Sequence, residues 1–139
     1  KILLKSHCYE YKDEITKDLS FIDLTQDTWQ AKVVIKWLSL GIINGDSDQS
    51  GAKIFRPNDR ISKAEAIKML INIGLLQIGE EYKTSYTDVY KKWYERYVAD
   101  GEYLGVIDPD KDWYMYRPDS FTVRDEMVHM TMKLVRLYR

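Results

Sequence analysis

A single cysteine, Cys8, stands in the 139 residues, which excludes an internal disulfide framework and leaves the redox compartment unread. Charge of one sign is equally scarce: 21 Lys and Arg against 22 Asp and Glu give a net charge of −1. Without a basic excess or stripe, the electrostatic case for nucleic acid is absent. No apolar run approaches the roughly 20 residues that cross a bilayer, so no membrane insertion is expected, and the first residues lack the basic-then-apolar pattern of a secretory signal. Chemistry-bearing motifs are missing too. No glycine-flanked serine nucleophile, phosphate loop or metal-protease signature occurs, and His7 and His129 lie too far apart in sequence to indicate a zinc site. His7 and Cys8 are adjacent, and neighbours on a helix point different ways. Carboxylates are plentiful, but a glycosidase needs two opposed across a cleft, which their spacing does not establish. The expectation is a protein without catalysis, metal or other cofactor.

An apolar content of 45% suffices for one modest core or a few small repeated ones. The chain begins at Lys1 rather than methionine, as expected of a processed product or an excised fragment. Its organisation lies in an internal repeat of about sixty residues. "SFIDLTQDTWQAKVVIKWLSLGIING" from Ser20 and "SYTDVYKKWYERYVADGEYLGVIDPD" from Ser85 share an aromatic, an aspartate, a tryptophan and a Gly-(Ile/Val)-Ile ending. Each continues into a second half, "FRPNDRISKAE" and "YRPDSFTVRDE", which align without a gap. The opening "KILLKSHCYEY" resembles "IKMLINIGLLQ", so residues 1–19 read as the tail of a preceding repeat plus a linker. Residues 20–80 and 81–139 are the two whole repeats.

Two helices are expected in each repeat. Trp29, Val33, Val34, Trp37, Leu38 and Gly41 recur at three- and four-residue steps, as do Ile67, Leu70, Ile71 and Gly74. In the second copy Trp93, Tyr97 and Leu104 mark one helix; Met127, Met130, Thr131, Leu134 and Tyr138 mark the other. Turn-rich loops closed by Arg-Pro separate the helices, with room for at most a short strand pair. Both loops imitate calcium loops. Asp46, Asp48, Ser50 and Gly51 fit the early ligand positions of one, and Asp108, Asp110 and Asp112 those of the other. Pro57 and Asp119 replace the final glutamate, so a metal is not expected.

The ordered set Phe-x-Asp, Trp, Gly-Ile-Ile-x-Gly, Phe-Arg-Pro and a Thr-Arg-Ala-Glu-like tetrapeptide resembles the S-layer homology domains of bacterial surface proteins, over residues 20 to 139. The resemblance implies an all-α fold of tandem two-helix repeats sharing a helical-bundle core around a pseudo-threefold axis, with short loops or small strands between helices. It implies non-covalent anchoring, outside the bacterial cell, to a cell-wall polysaccharide, often pyruvylated, whose carboxylate binds in grooves between repeats. A larger surface polypeptide or another copy would complete the third repeat. A different class of function is also open: a structural or protein-interaction scaffold that has kept the fold and lost the glycan. A third is a targeting module cut from a larger surface enzyme.

By the same resemblance, the basic residue of the tetrapeptide contacts the acidic sugar; the matching positions are Lys63 in "SKAE" and Arg124 in "VRDE". A helix N-terminus attracts anions and disfavours a cation, so a lysine there is poised for a carboxylate, or else it lays its stem over apolar surface. Ser62 and Glu65 read as a capping box. In the second copy Val123 replaces the serine, so Thr122 with Asp125 would cap one residue earlier and displace Arg124. Trp29 and Trp93 either stack on a sugar or begin helices in the core. Asp23 and Asp88 either order a turn or accept sugar hydroxyls. Arg56 and Arg117 pair with a carboxylate of protein or ligand. Gly45 fits a backbone turn near the presumed groove, where the second copy has Pro109.

Overall fold

The computed structural model describes residues 21–25, 29–74, 82–108 and 114–137, with side chains except at 29 and 30. The expected repeat remnant at 1–19, Pro109, Asp110, Asp112 and Tyr138 lie outside the described residues, as does the Trp29 side chain. By spatial contact the chain forms two compact units, whose described residues fall within 21–59 and 60–137.

In the first unit, α1 (Trp29–Ser39) buries Ala31, Val33, Val34, Ile35 and Trp37; Val33, Val34 and Trp37 belong to the stripe expected from spacing, while Leu38 is half-buried. Gly41 ends it. At φ 70° this residue adopts the left-handed conformation in which its N–H reaches Leu38 O at 3.1 Å and the Ile42 N–H reaches Trp37 O at 2.9 Å. Those two bonds satisfy carbonyls that a helix end otherwise leaves orphaned. The chain then forms an antiparallel hairpin of β1 (Asp46–Ser47) and β2 (Lys53–Ile54), with Asp46 opposite Ile54. Its loop is organised by Asp48, whose carboxylate accepts from the Ser50 N–H, the Ser50 hydroxyl and the Ala52 N–H at 2.7–2.9 Å. This calcium-like sequence therefore builds a side-chain-closed turn, and the three donors hold the Asp48 carboxyl below the ordinary carboxylate range.

The second unit is built on α2 (Lys63–Gly74), which packs against α3 (Glu95–Tyr103) and α4 (Arg124–Arg136). Ile67, Leu70, Ile71 and Ile73 are fully or almost fully buried, each contributing about 1.5–3 kcal/mol of apolar burial. α3 approaches α2 closely at Gly101, where a Cβ would lie 2.7 Å from Ile67 Cδ1 and 3.1 Å from Ile107 Cγ1. A 3-10 turn at Thr87–Val89 precedes α3. Gly105, at φ 67°, ends α3 as Gly41 ends α1, with Gly105 N–H to Glu102 O at 3.0 Å and Val106 N–H to Gly101 O at 2.8 Å. One element departs from expectation: α3 starts at Glu95, leaving Trp93 in the turn before it and Leu104 beyond its end.

Sequence similarity and spatial contact partition the chain differently. The second helix of the first repeat, α2, packs in the unit that holds the second repeat. The described fold is helix-rich and carries a two-stranded sheet, the short strand pair allowed for between the helices, so it is mixed rather than strictly all-α. The hairpin exists because the five residues between the strands close a turn with their own side chains.

Replacing Gly101 by alanine should lower stability by about 1–3 kcal/mol through overpacking, despite the better helix propensity of alanine. Urea denaturation reads this directly, and an unchanged or raised midpoint would contradict the close packing.

Candidate functional site

The local design that repeats in both units is an aromatic followed two residues later by a carboxylate. Phe21 packs on Phe55 with ring centroids 5.8 Å apart, and Tyr86 on Tyr116 at 5.5 Å. Asp23 accepts from the Phe55 N–H at 2.9 Å and the Arg56 N–H at 2.6 Å; Asp88 accepts from the Tyr116 N–H at 2.9 Å and the Arg117 N–H at 2.7 Å. Both arginines sit at positive φ, 57° and 55°, a conformation that costs a residue with a Cβ roughly 1–2 kcal/mol. The carboxylate offsets that cost by holding two successive amides of an Arg-Pro corner. Asp23 and Asp88 thus order the turn, as one of their two readings expects.

Among the described residues, the Arg56 guanidinium pairs with Asp46 at 3.2 Å, and no partner faces the Arg117 side chain. Gly45 has φ 73°, and a Cβ on it would fall 2.2 Å from Phe21 Cε1, so it serves close approach to that ring. Trp93 is 57% exposed, which excludes the core reading for it.

At the start of α2 the capping box forms as predicted. Glu65 accepts from the Ser62 N–H and hydroxyl, both at 2.9 Å, and the Glu65 N–H donates to Ser62 Oγ at 3.3 Å. The turn at 118–121 then covers this helix end: the Lys63 N–H donates to Ser120 O at 2.9 Å and the Ala64 N–H to Pro118 O at 3.0 Å. A bridge between Ser62 and Phe121 continues the seam, and the buried Tyr116 hydroxyl donates to Lys63 O at 3.1 Å. Burial pushes the Tyr116 phenol well above its ordinary pKa.

The Lys63 ammonium pairs with Glu126 at 3.0 Å. An external carboxylate at Lys63 must share that ammonium or displace Glu126, and the first amides of α2 already have acceptors. Burial raises the Glu126 carboxyl, but the Lys63 ammonium, the Val123 N–H and the Thr122 hydroxyl outweigh it and leave the carboxyl below its usual range.

The start of α4 differs. Val123 is its N-cap and Arg124 its first residue, the same register as Ser62 and Lys63. The expected displacement of Arg124 is therefore corrected: Thr122 bonds Glu126 at 3.0 Å, not Asp125, and Glu126 also accepts from the Val123 N–H at 3.2 Å. Among the described residues nothing accepts from the Arg124 or Asp125 amides, and no carboxylate pairs with the exposed Arg124 side chain. The helix face continues this contrast. Val128 and Met132 are 42% and 53% exposed, whereas Ile67 and Ile71 at the matching positions of α2 are 0% exposed.

Sequence reasoning missed the Lys63–Glu126 pair and a second cluster in which Asp108 bonds His129 Nε2 at 3.1 Å and the Lys133 ammonium. The Lys133 hydrogen bond is the main reason that the Asp108 carboxyl lies below its ordinary range. The spacing of His129 and Lys133, four apart on α4, was the available signal. Among the described residues no group of three His, Cys, Asp or Glu forms a metal-binding cluster.

The first aromatic-x-Asp corner, its glycine-terminated helix and the capped basic tetrapeptide at Lys63 all fall within residues 20–67, which match the family described as the S-layer homology domain. Two curated relatives carry the S-layer name. Over 88 residues, 63% of this chain, it is 30% identical to the S-layer protein of Bacillus thuringiensis subsp. finitimus and 28% identical to the S-layer protein sap of Bacillus anthracis. The chain spans 10% of the length of each. These matches support an extracellular place at the bacterial cell surface.

Asp88→Ala should cost about 1–3 kcal/mol, because two amides of a strained corner lose their acceptor; a thermal transition like that of the wild type would refute the corner's role. The Glu126 pair adds a pH test. A carboxyl whose folded pKa is depressed stabilises fully above its unfolded value, about 4.3, and loses that contribution as pH falls through the lower folded value. Between pH 6 and 3 the urea midpoint of the wild type should therefore fall more steeply than that of Glu126→Gln.

Proposed function

We propose that the chain is an anchoring module that binds an acidic, pyruvylated cell-wall polysaccharide non-covalently, without catalysis. Its fold on this reading belongs to a pseudo-threefold set of tandem repeats, two of them in residues 20–80 and 81–139. The observation that carries the proposal is the start of α4, where an exposed arginine and two amides without an acceptor among the described residues share one helix end. A carboxylate placed there takes charge-assisted bonds from the guanidinium and favourable interaction with the helix dipole. The S-layer homology match gives the glycan its motivation.

Arg124 is the principal contact in this reading. Lys63 holds Glu126 and supports the turn beside it. Arg117, unpaired among the described residues, is available as a second cation, while Asp23, Asp88, Arg56 and Gly45 shape the corners. The sealed start of α2 favours the scaffold alternative for that position only.

Titration calorimetry with polysaccharide released from Bacillus walls, native and depyruvylated, tests the proposal. Native polymer should bind, depyruvylated polymer should bind at least tenfold more weakly, and Arg124→Ala should lose about the same factor, as expected for a charge-assisted hydrogen bond of about 1.5–3 kcal/mol. Equal or absent heats with both polymers would select the scaffold instead.

A further inference from the structure

The turn at residues 90–93 is used by none of the contacts described so far. It reads Tyr-Lys-Lys-Trp, and with the tryptophans aligned the first repeat has Gln26-Asp27-Thr28-Trp29 in its place. The second repeat alone therefore carries two consecutive cations and an extra aromatic here. Tyr90 is 65% exposed and Trp93 57%. Lys91 Nζ stands 5.1 Å from the Tyr90 ring centroid, and Lys68 Nζ, reaching across from α2, stands 5.4 Å from that of Trp93. Among the described residues no carboxylate pairs with the ammonium groups of Lys68, Lys91 or Lys92. Glu95, the first residue of α3, accepts from the Lys91 N–H at 2.7 Å.

The backbone adds an independent sign. Lys91 has φ 56°, an unfavourable conformation for a side chain of this size that persists only where the surroundings enforce it. The Glu95 carboxylate and the Lys92 N–H bond to Val89 O at 3.2 Å do so. Edge contacts of Trp93 with Tyr94 and Tyr97, centroids 5.1 and 6.4 Å away, fix the indole. Two solvent-facing aromatics, each with one lysine ammonium over its ring and with Lys92 in the same turn, are thus presented at a cost in backbone energy.

We infer that this turn, with Lys68, is a second binding surface for an anionic polysaccharide, in which sugar rings lie on Tyr90 and Trp93 while their acidic groups meet Lys68, Lys91 and Lys92. The inference rests on the proposed glycan-binding function and adds a contact outside the α4 helix end. Pyranose C–H faces suit exposed aromatic rings. The lysines beside those rings select for negative charge, which a neutral glycan lacks. A linear polymer engaging two surfaces of one protein gains avidity without further contacts at either.

The test uses the same Bacillus wall polysaccharide with two variants, Lys91→Gly/Lys92→Gln and Tyr90→Ser/Trp93→Ser, whose folding is checked by circular dichroism and thermal unfolding. The glycine relieves the Lys91 strain, so the first variant should fold at least as well as the wild type. Each variant should bind about tenfold more weakly, and the lysine variant should show a shallower loss of affinity with salt. Wild-type affinity in both variants, with Arg124→Ala still impaired, overturns this surface and leaves the anchoring function standing. No binding by the wild type removes both. Variants that lose affinity for phosphatidylglycerol vesicles but keep it for polysaccharide assign the turn to lipid and likewise overturn the inference.

Discussion

The structure depends on a carboxylate that holds a backbone corner. In both units an aspartate two residues after an aromatic takes the N–H groups of an aromatic-Arg pair, and the arginine is held at positive φ immediately before proline. Neither component is favourable alone. Left-handed arginine is strained and proline restricts the residue before it, while two amides turned inward need an acceptor. Together they hold a fixed corner, which in the second unit lies between α3 and α4. They also present the polar turn that follows: in the second unit that turn, at 118–121, lies on the amides that begin α2.

That cover explains why two helix starts of related sequence differ chemically. Lys63 and Arg124 occupy the same position after their caps, but the first amides of α2 are bonded to backbone carbonyls and its cation to Glu126. At α4 the corresponding groups have no described acceptor. Glu126 belongs to both arrangements, since it accepts from the Val123 amide at its own helix start and from Lys63 at the other. A single carboxylate therefore ties one helix start to the next. The lysine at the positive end of a helix dipole is compensated by a neighbour rather than left at a cost.

Repetition also makes the differences between copies informative. Gly101 permits a helix contact where the first copy has Trp37, and a lysine pair stands where the first copy has Asp27-Thr28. The corner and the glycine-terminated helix recur in both copies, as expected if they maintain the fold, whereas of the cap only the bond from the N-cap amide to the glutamate recurs. The side chains exposed around them vary, and they carry the charges that would distinguish one surface from another.

Much of this was legible in the chain itself. Short-range physics set the glycine ends at Gly41 and Gly105, the Ser62–Glu65 box, the buried stripe Ile67, Leu70 and Ile71, and the repeat that joins them; each depends on neighbours within a few residues, so spacing reveals it. Trp93 was expected within the helix because periodicity does not register the two residues of turn before Glu95, and of its two readings the core one is excluded by its exposure. What only the tertiary structure decided is the partner of each charge. Lys63 finds Glu126 and Asp108 finds Lys133 across 63 and 25 positions of sequence, and no local pattern encodes such distances. A helix start declares its need for an acceptor in its sequence, but whether protein or solvent meets that need depends on which distant turn the fold lays over it.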